Sequence, residues 1–268
     1  MLQSAERWEA IFLHPADSFG INILIRRILT VRIIGSSHIG KVRKENQDAF
    51  WFFQPAPEIC AGVVCDGMGG ARGGSRASAI AVETARRCFQ ATPQPEHIEP
   101  LFRRIVEESN RCVHDEAAGN PELTGMGTTM VLTLAIRDQV FFANVGDSRG
   151  YHIEKGGIRQ ITKDHSAVQE LVDSGHITQR QARIHPNKNI ITRAIGIEKN
   201  VVYDFYQITV VTGDIIILCS DGLSNFVDEN EIQFEASGGS FDDLPKRLID
   251  LANSRGGADN ITVVAIQV

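Results

Sequence analysis

The chain has 268 residues, a formal charge of −6 and a hydrophobic content of 43%. That is enough apolar material for one large α/β domain or two small ones, which excludes disorder as the default state. The acidic balance excludes nucleic acid or an anionic membrane surface as the main partner.

In chain order, residues 1–30 come first. The apolar run Ile21-Asn22-Ile23-Leu24-Ile25 is preceded by Glu6 and Glu9 and interrupted by Arg26 and Arg27. It is too short to span a bilayer and no small-residue cleavage site follows it, so 1–30 reads as an appended N-terminal extension with no membrane role. From residue 31 to 268 there is no tandem repeat, heptad or low-complexity linker, and one domain is expected. Short apolar runs bounded by Gly, Asn and Asp predict strands at 31–36, 49–53, 59–65, 128–136, 139–145, 150–154, 201–210, 214–219 and 261–267. Arg137-Asp138 is the turn of a hairpin. Helices are predicted at 75–90 and 97–117, the second striped by Leu101, Ile105, Val106, Cys112 and Val113. A last helix carries Leu244, Leu248 and Leu251, with Ser240 as its cap. Runs of strands broken by helix pairs predict an α+β fold, a sandwich of two mainly antiparallel sheets covered by helices. Five cysteines, Cys60, Cys65, Cys88, Cys112 and Cys219, form no Cys-x-x-Cys pair. Three lie inside apolar strands, which fits buried free thiols in a reducing cytoplasm.

Aspartates stand where these strands end. Asp48 precedes Ala49–Phe53, Asp66 closes Cys60–Cys65, Asp221 follows Ile215–Ser220, and Asp259 stands just ahead of Ile261–Ile266. Gly146-Asp147-Ser148-Arg149 adds another acid at a strand end. Each alone reads as a capping or Asx-turn residue. Gathered together they would repel one another and lose hydration, and hard divalent cations with oxygen ligands relieve both penalties. In Asp66-Gly67-Met68-Gly69-Gly70 the glycines let backbone approach a ligand closely, and the Gly67 carbonyl offers a further oxygen.

Arg43, close in sequence to Asp48, carries a planar fork of donors suited to a phosphate dianion. Gly35-Ser36-Ser37-His38-Ile39-Gly40-Lys41 matches a phosphate-binding loop except that Val42 replaces the magnesium-binding Ser or Thr, and a strand rather than a helix follows. No His-Glu-x-x-His and no Gly-x-Ser-x-Gly is present, which argues against a zinc or a serine hydrolase.

The order of these motifs is specific. Arg43 with Asn46-Gln47-Asp48, Asp66-Gly67-Met68-Gly69-Gly70, Gly125-Met126-Gly127-Thr128-Thr129, Gly146-Asp147-Ser148-Arg149, Asp164-His165-Ser166, Thr192-Arg193-Ala194-Ile195-Gly196, Ser220-Asp221-Gly222 and Asp259-Asn260-Ile261-Thr262 resembles the metal-dependent PP2C-type protein serine/threonine phosphatases in their bacterial form. The resemblance spans about residues 31–268. It implies a four-layer αββα sandwich with two Mn²⁺ or Mg²⁺ ions at one edge of the paired sheets. By position, Asp66 bridges the ions, Asp221 and Asp259 complete the first, and Asp48 (through water) and the Gly67 carbonyl serve the second. Asp147 with Asp221 holds a third, weaker ion, Arg43 holds the substrate phosphate, and residues 166–190 form a flap beside the site.

The implied activity is hydrolysis of phosphoserine and phosphothreonine by hydroxide generated between the cations, without a covalent phosphoenzyme. In animal members a histidine between the glycines of the first motif is thought to protonate the leaving group. Met68 stands there in this chain, and His165 is the first alternative acid to examine. The competing reading is a pseudophosphatase that only binds phosphoproteins, which would need a lost acid or a lost Arg43. By family analogy the implied partners are a bacterial Hanks-type kinase and its substrates. Ser37-His38-Ile39-Gly40 loosely resembles the corresponding segment of phosphatases linked to type VI secretion.

Overall fold

The computed structural model describes residues 29–268, so the expected extension 1–30 lies outside the described residues apart from its last two positions. The described strands are β1 (Arg32–His38), β2 (Asp48–Ala56), β3 (Ile59–Met68), β4 (Gly127–Thr128), β5 (Met130–Ile136), β6 (Gln139–Val145), β7 (Arg149–Glu154), β8 (Gly157–Gln160), β9 (Asp204–Thr209), β10 (Ile215–Cys219) and β11 (Ile261–Gln267). The helices are α1 (Gly70–Ala91), α2 (Ile98–Gly119), α3 (Ala167–Asp173), α4 (Gln179–Arg183), α5 (Asp221–Ser224), α6 (Glu229–Ser237) and α7 (Leu244–Ser254). One sheet has the order β1-β11-β10-β7-β8 and the other β2-β3-β5-β6-β9, with β4 pairing β3 at its end. The pairings are antiparallel throughout, as expected.

The period of two along each central strand explains the layers. In β3, Ile59, Ala61, Val63 and Cys65 face α1 and α2, while Cys60 and Val64 face the other sheet. In β11, Ile261, Val263 and Ala265 pack under α7, and Val264 and Ile266 point inward between the sheets. Both faces of these strands are buried, so they read as continuous apolar runs rather than alternating ones. The inter-sheet layer is closed by Phe142, Val131, Ile216 and Leu218. Outside, α1 presents Ala77, Ala81 and Ala85 at helical spacing to β3, small side chains that let the helix lie close.

Several elements depart from the sequence reading. The run 128–136 is broken at Thr129, whose N–H donates to the carbonyl of Asp66 and whose hydroxyl accepts from the Asp66 N–H, both at 2.9 Å. Ser240 caps a short 3₁₀ turn, Phe241–Asp243, and α7 begins after it. There Ile249 rather than Leu251 completes the buried stripe. Strand β8 and helices α3, α4, α5 and α6 were not expected. For α4 and α6 a local signal existed in the capping boxes Thr178…Gln181 and Asp228…Glu231. The Arg137-Asp138 hairpin forms as expected, with Arg137 at a φ of 55° and its N–H bonded to Glu58 O at 2.9 Å.

Phe142 is fully buried between the sheets. Phe142→Ala is expected to cost about 3–5 kcal/mol, read as a lower urea midpoint at unchanged slope.

Candidate active site

Both sheets deliver carboxylates to the same end of the sandwich. Asp48 opens β2 directly opposite Asp66 near the end of β3, which places like charges on facing positions of one ladder. From the other sheet, Asp221 begins α5 immediately after β10, and Asp259 precedes β11. Asp147 lies in the turn between β6 and β7. Two close backbone approaches make the convergence possible. A Cβ on Gly67 would stand 2.1 Å from the Gly74 carbonyl of α1, and a Cβ on Gly222 would stand 1.8 Å from the Asn260 carbonyl. Only glycine fits at either point, and the second contact brings the Asp221 and Asp259 segments together.

A cavity of about 500 Å³ opens here, walled by Asp66, Gly67, Met68, Asp147, Asp221 and Asp259, with Arg43 at its side. Asp48 is not on the cavity wall. Its Oδ2 accepts hydrogen bonds from Thr262 Oγ1 (2.6 Å) and Ser220 Oγ (2.7 Å), both in the opposite sheet or at its end. Arg43 Nη2 donates to Asp259 Oδ2 at 2.7 Å. Asn260 ties the Arg43 loop down, donating to Ile39 O and Glu45 O and accepting from Gln47 N–H. Asp221 is oriented by Asn225 Nδ2 (2.9 Å), and Asn225 Oδ1 accepts in turn from Lys188 Nζ (3.1 Å). Sequence reasoning missed Ser220, Thr262, Asn225 and Lys188 as supports. The first three flank motif acids, whereas Lys188 carries no local signal.

The electrostatics of the cluster are unfavourable. Burial, followed by the charges of Asp48, Asp221, Asp147 and Asp259, holds Asp66 well above the usual carboxylate range. Burial also raises Asp48 to about 7, against the two hydroxyl hydrogen bonds, and Asp147 to about 8, with Asp221 as the next cause. Asp221 is raised by burial and then by Asp259. Asp48 Oδ1 and Asp221 Oδ1 are buried without a hydrogen-bond partner. Such orphaned, crowded anionic oxygens are the donor set of hard divalent cations, Mg²⁺ or Mn²⁺, rather than of a thiolate- or imidazole-bound metal. Among the described residues no group of three or more acidic, histidine or cysteine side chains is already drawn together as a metal site, so the acids would have to close on an ion to hold it. The acids line an open cavity with room for solvent and substrate oxygens.

The segment expected as a flap, 166–190, carries α3 and α4 and is pinched at its base. Ala167 N donates to Ile190 O (2.8 Å), and Thr192 N to His165 O (2.8 Å). Asn189 and Ile191 reach the cavity wall. His165 does not line the cavity. Its buried ring accepts from Gly146 N–H at Nδ1 and meets Asp204 at Nε2, both at 3.2 Å, and burial holds it below the usual imidazole range. As the alternative acid for the leaving group, His165 is therefore set aside.

The family profile of protein phosphatase 2C matches residues 34–261. A curated serine/threonine phosphatase, stp, from Listeria welshimeri is 39% identical over 232 residues, 85% of this chain and 92% of its own. The catalytic domain of the serine/threonine phosphatase PstP, solved with two manganese ions, superposes with a TM-score of 0.79 at 31% identity, covering 89% of this chain and 98% of that one. PppA, described as a key regulatory component of the type VI secretion system in Pseudomonas aeruginosa, gives a TM-score of 0.76 at 32% identity, covering 90% and 98%. In the described residues no helix is long and apolar enough to cross a membrane.

Carboxylates whose folded pKa values are raised bind more protons folded than unfolded. Their stabilising contribution is complete below the unfolded value near 4 and is lost as pH rises through 7 to 8. In chelator, Asp48→Asn is therefore expected to raise the melting midpoint by roughly 3–8 °C. The gain should grow between pH 5 and 8.5 in scanning calorimetry.

Proposed function

The chain belongs to the protein phosphatase 2C family and is a phosphoserine/phosphothreonine protein phosphatase, and from that premise we propose how its residues carry the reaction. The observation that supports the reading is the meeting of Asp66, Asp147, Asp221, Asp259 and Arg43 around one cavity from two sheets. Asp66 would be shared by two cations, with Asp221 and Asp259 on the first. The Gly67 carbonyl and, one layer back, Asp48 would serve the second. Asp147 and Asp221 would take a third, weaker ion. Bound Mn²⁺ or Mg²⁺ supplies acidification of water and neutralisation of phosphoryl charge.

Everything else falls to the chain's own groups. Arg43 presents its guanidinium at the side of the cavity and orients the phosphate by charge-assisted hydrogen bonds, with the scissile phosphorus over the acids. Ser220 and Thr262 hold Asp48 by its Oδ2 and leave its buried Oδ1 without a hydrogen-bond partner. Asn225 holds Asp221. No serine, cysteine or histidine lines the cavity among the described residues, and under this reading the aspartates there are taken up in holding the cations, so water supplies the attacking oxygen and no covalent phosphoenzyme forms. Met68 at the wall cannot donate a proton, so the departing alkoxide has to take its proton from another group or from water. The physiological partners under this reading are a Hanks-type kinase and its phosphoprotein substrates in the cytoplasm. The loose likeness of Ser37-His38-Ile39-Gly40 to phosphatases tied to type VI secretion, together with the resemblance to PppA, adds that system as a second setting in which to look for a substrate.

Mn²⁺-dependent release of p-nitrophenol from p-nitrophenyl phosphate, abolished by chelator, separates this enzyme from a phosphoprotein-binding pseudophosphatase. Asp221→Asn is expected to remove that activity while leaving the circular dichroism spectrum intact, and wild-type turnover at saturating Mn²⁺ would sink the assignment. Arg43→Ala is expected to raise KM more than it lowers kcat, a loss in kcat/KM of about 1.5–3 kcal/mol. An unchanged kcat/KM would return Arg43 to the role of a surface partner of Asp259.

A further inference from the structure

Beside the catalytic cavity lies a larger one, about 830 Å³, between β8, the α3–α4 segment and α5–α6. The two cavities share Asp147 and Asp221, so the second is a continuation of the first rather than a separate pit. Its apolar part is formed by Ile158, Val168, Ala182 and Phe226. Most of its charges are already matched. Arg149 is locked to Asp164 through Nε and Nη2, Lys163 pairs with Asp173, and Arg255 pairs with Glu231. Asp228 caps α6. Lys188 is engaged with Asn225.

Two cations are left over. Arg159 of β8 and Arg183 at the end of α4 are exposed, line the cavity, and have no ion-pair partner among the described residues. The remaining acid away from the catalytic cluster is Glu229. A chain with net charge −6 thus keeps unpaired arginines on the wall of a large cleft that runs on from its reaction centre. Guanidinium groups in this state are suited to carboxylate forks.

We propose that this second cavity is a substrate subsite that takes the residues flanking the phosphorylated serine or threonine, and that Arg159 and Arg183 select acidic side chains there. The proposal rests on the phosphoprotein phosphatase reading and adds to it a sequence preference. An extended peptide whose phosphate meets Arg43 and the acids has this cleft as its continuous path over the surface. Its carboxylates would replace the water now solvating two arginines, while its apolar atoms cover Ile158 and Phe226.

The test uses the full-length protein with Mn²⁺ and two phosphothreonine peptides, one flanked on each side by three glutamates and its counterpart with glutamines. At low ionic strength wild type is expected to show a kcat/KM about fivefold higher for the glutamate peptide. The preference should shrink in 0.5 M salt, as exposed ion pairs are screened. Arg159→Glu combined with Arg183→Glu is expected to abolish or invert the preference with p-nitrophenyl phosphate turnover unchanged, and the paired lysine substitutions should restore most of it. Equal kcat/KM for the two peptides in wild type would overturn the subsite, as would a preference that survives charge reversal. A protein that hydrolyses p-nitrophenyl phosphate but neither peptide would overturn the phosphoprotein reading together with the subsite.

Discussion

Crowding of carboxylates at the common end of two sheets sets the terms for the rest of this molecule. Asp48 and Asp66 face each other across one ladder, and Asp221, Asp259 and Asp147 approach from neighbouring turns. Left to themselves these groups would separate and seek water. Asp66, Asp221 and Asp259 are kept in place because each adjoins β3, β10 or β11, strands buried on both faces, so moving one of these acids means moving a strand out of the core. Asp48, by contrast, opens the half-exposed edge strand β2 and is held by Ser220 and Thr262. The inter-sheet layer of Phe142, Val131, Ile216 and Leu218 offsets the strain at the rim. Stability is concentrated away from the chemistry, and the chemistry draws on it.

The supports around the acids share one design. Short hydroxyl and amide side chains hold single carboxylate oxygens and leave the other oxygen without a hydrogen-bond partner: Ser220 and Thr262 on Asp48, and Asn225 on Asp221. Arg43, meanwhile, lies against Asp259 and brings a positive charge to the side of the cavity where a phosphate dianion would arrive. The α3–α4 segment completes the enclosure, pinched at its base and linked by Lys188 to Asn225.

Much of this was legible in the sequence, and the reasons are physical. Strands buried on both faces appear as unbroken apolar runs, so the central ladders could be drawn with bounds no more than three residues in error. The acids stood out because a carboxylate beside such a run is energetically conspicuous. The edge strand β8 and helices α3, α4 and α6 were not legible, since half-exposed elements lack a strong apolar period and are held by tertiary contact. Thr129 shows the same limit at a single residue, where a bond to Asp66, 63 positions away, broke a strand that its composition favoured. His165 looked available from its motif, but the fold turns its ring toward Gly146 and Asp204.

The hydroxyls that bind Asp48 come from Ser220 and Thr262, across the seam between the two sheets. Neither residue would be counted among the acids by which such a protein is recognised. An isosteric change such as Thr262→Val would preserve every aspartate and the packing around β11, yet it would remove one of the two hydroxyls that fasten Asp48. Decay of a duplicated copy into a silent binding protein could therefore begin at these hydroxyls, with the acidic signature intact and the loss invisible to any survey that counts acids alone.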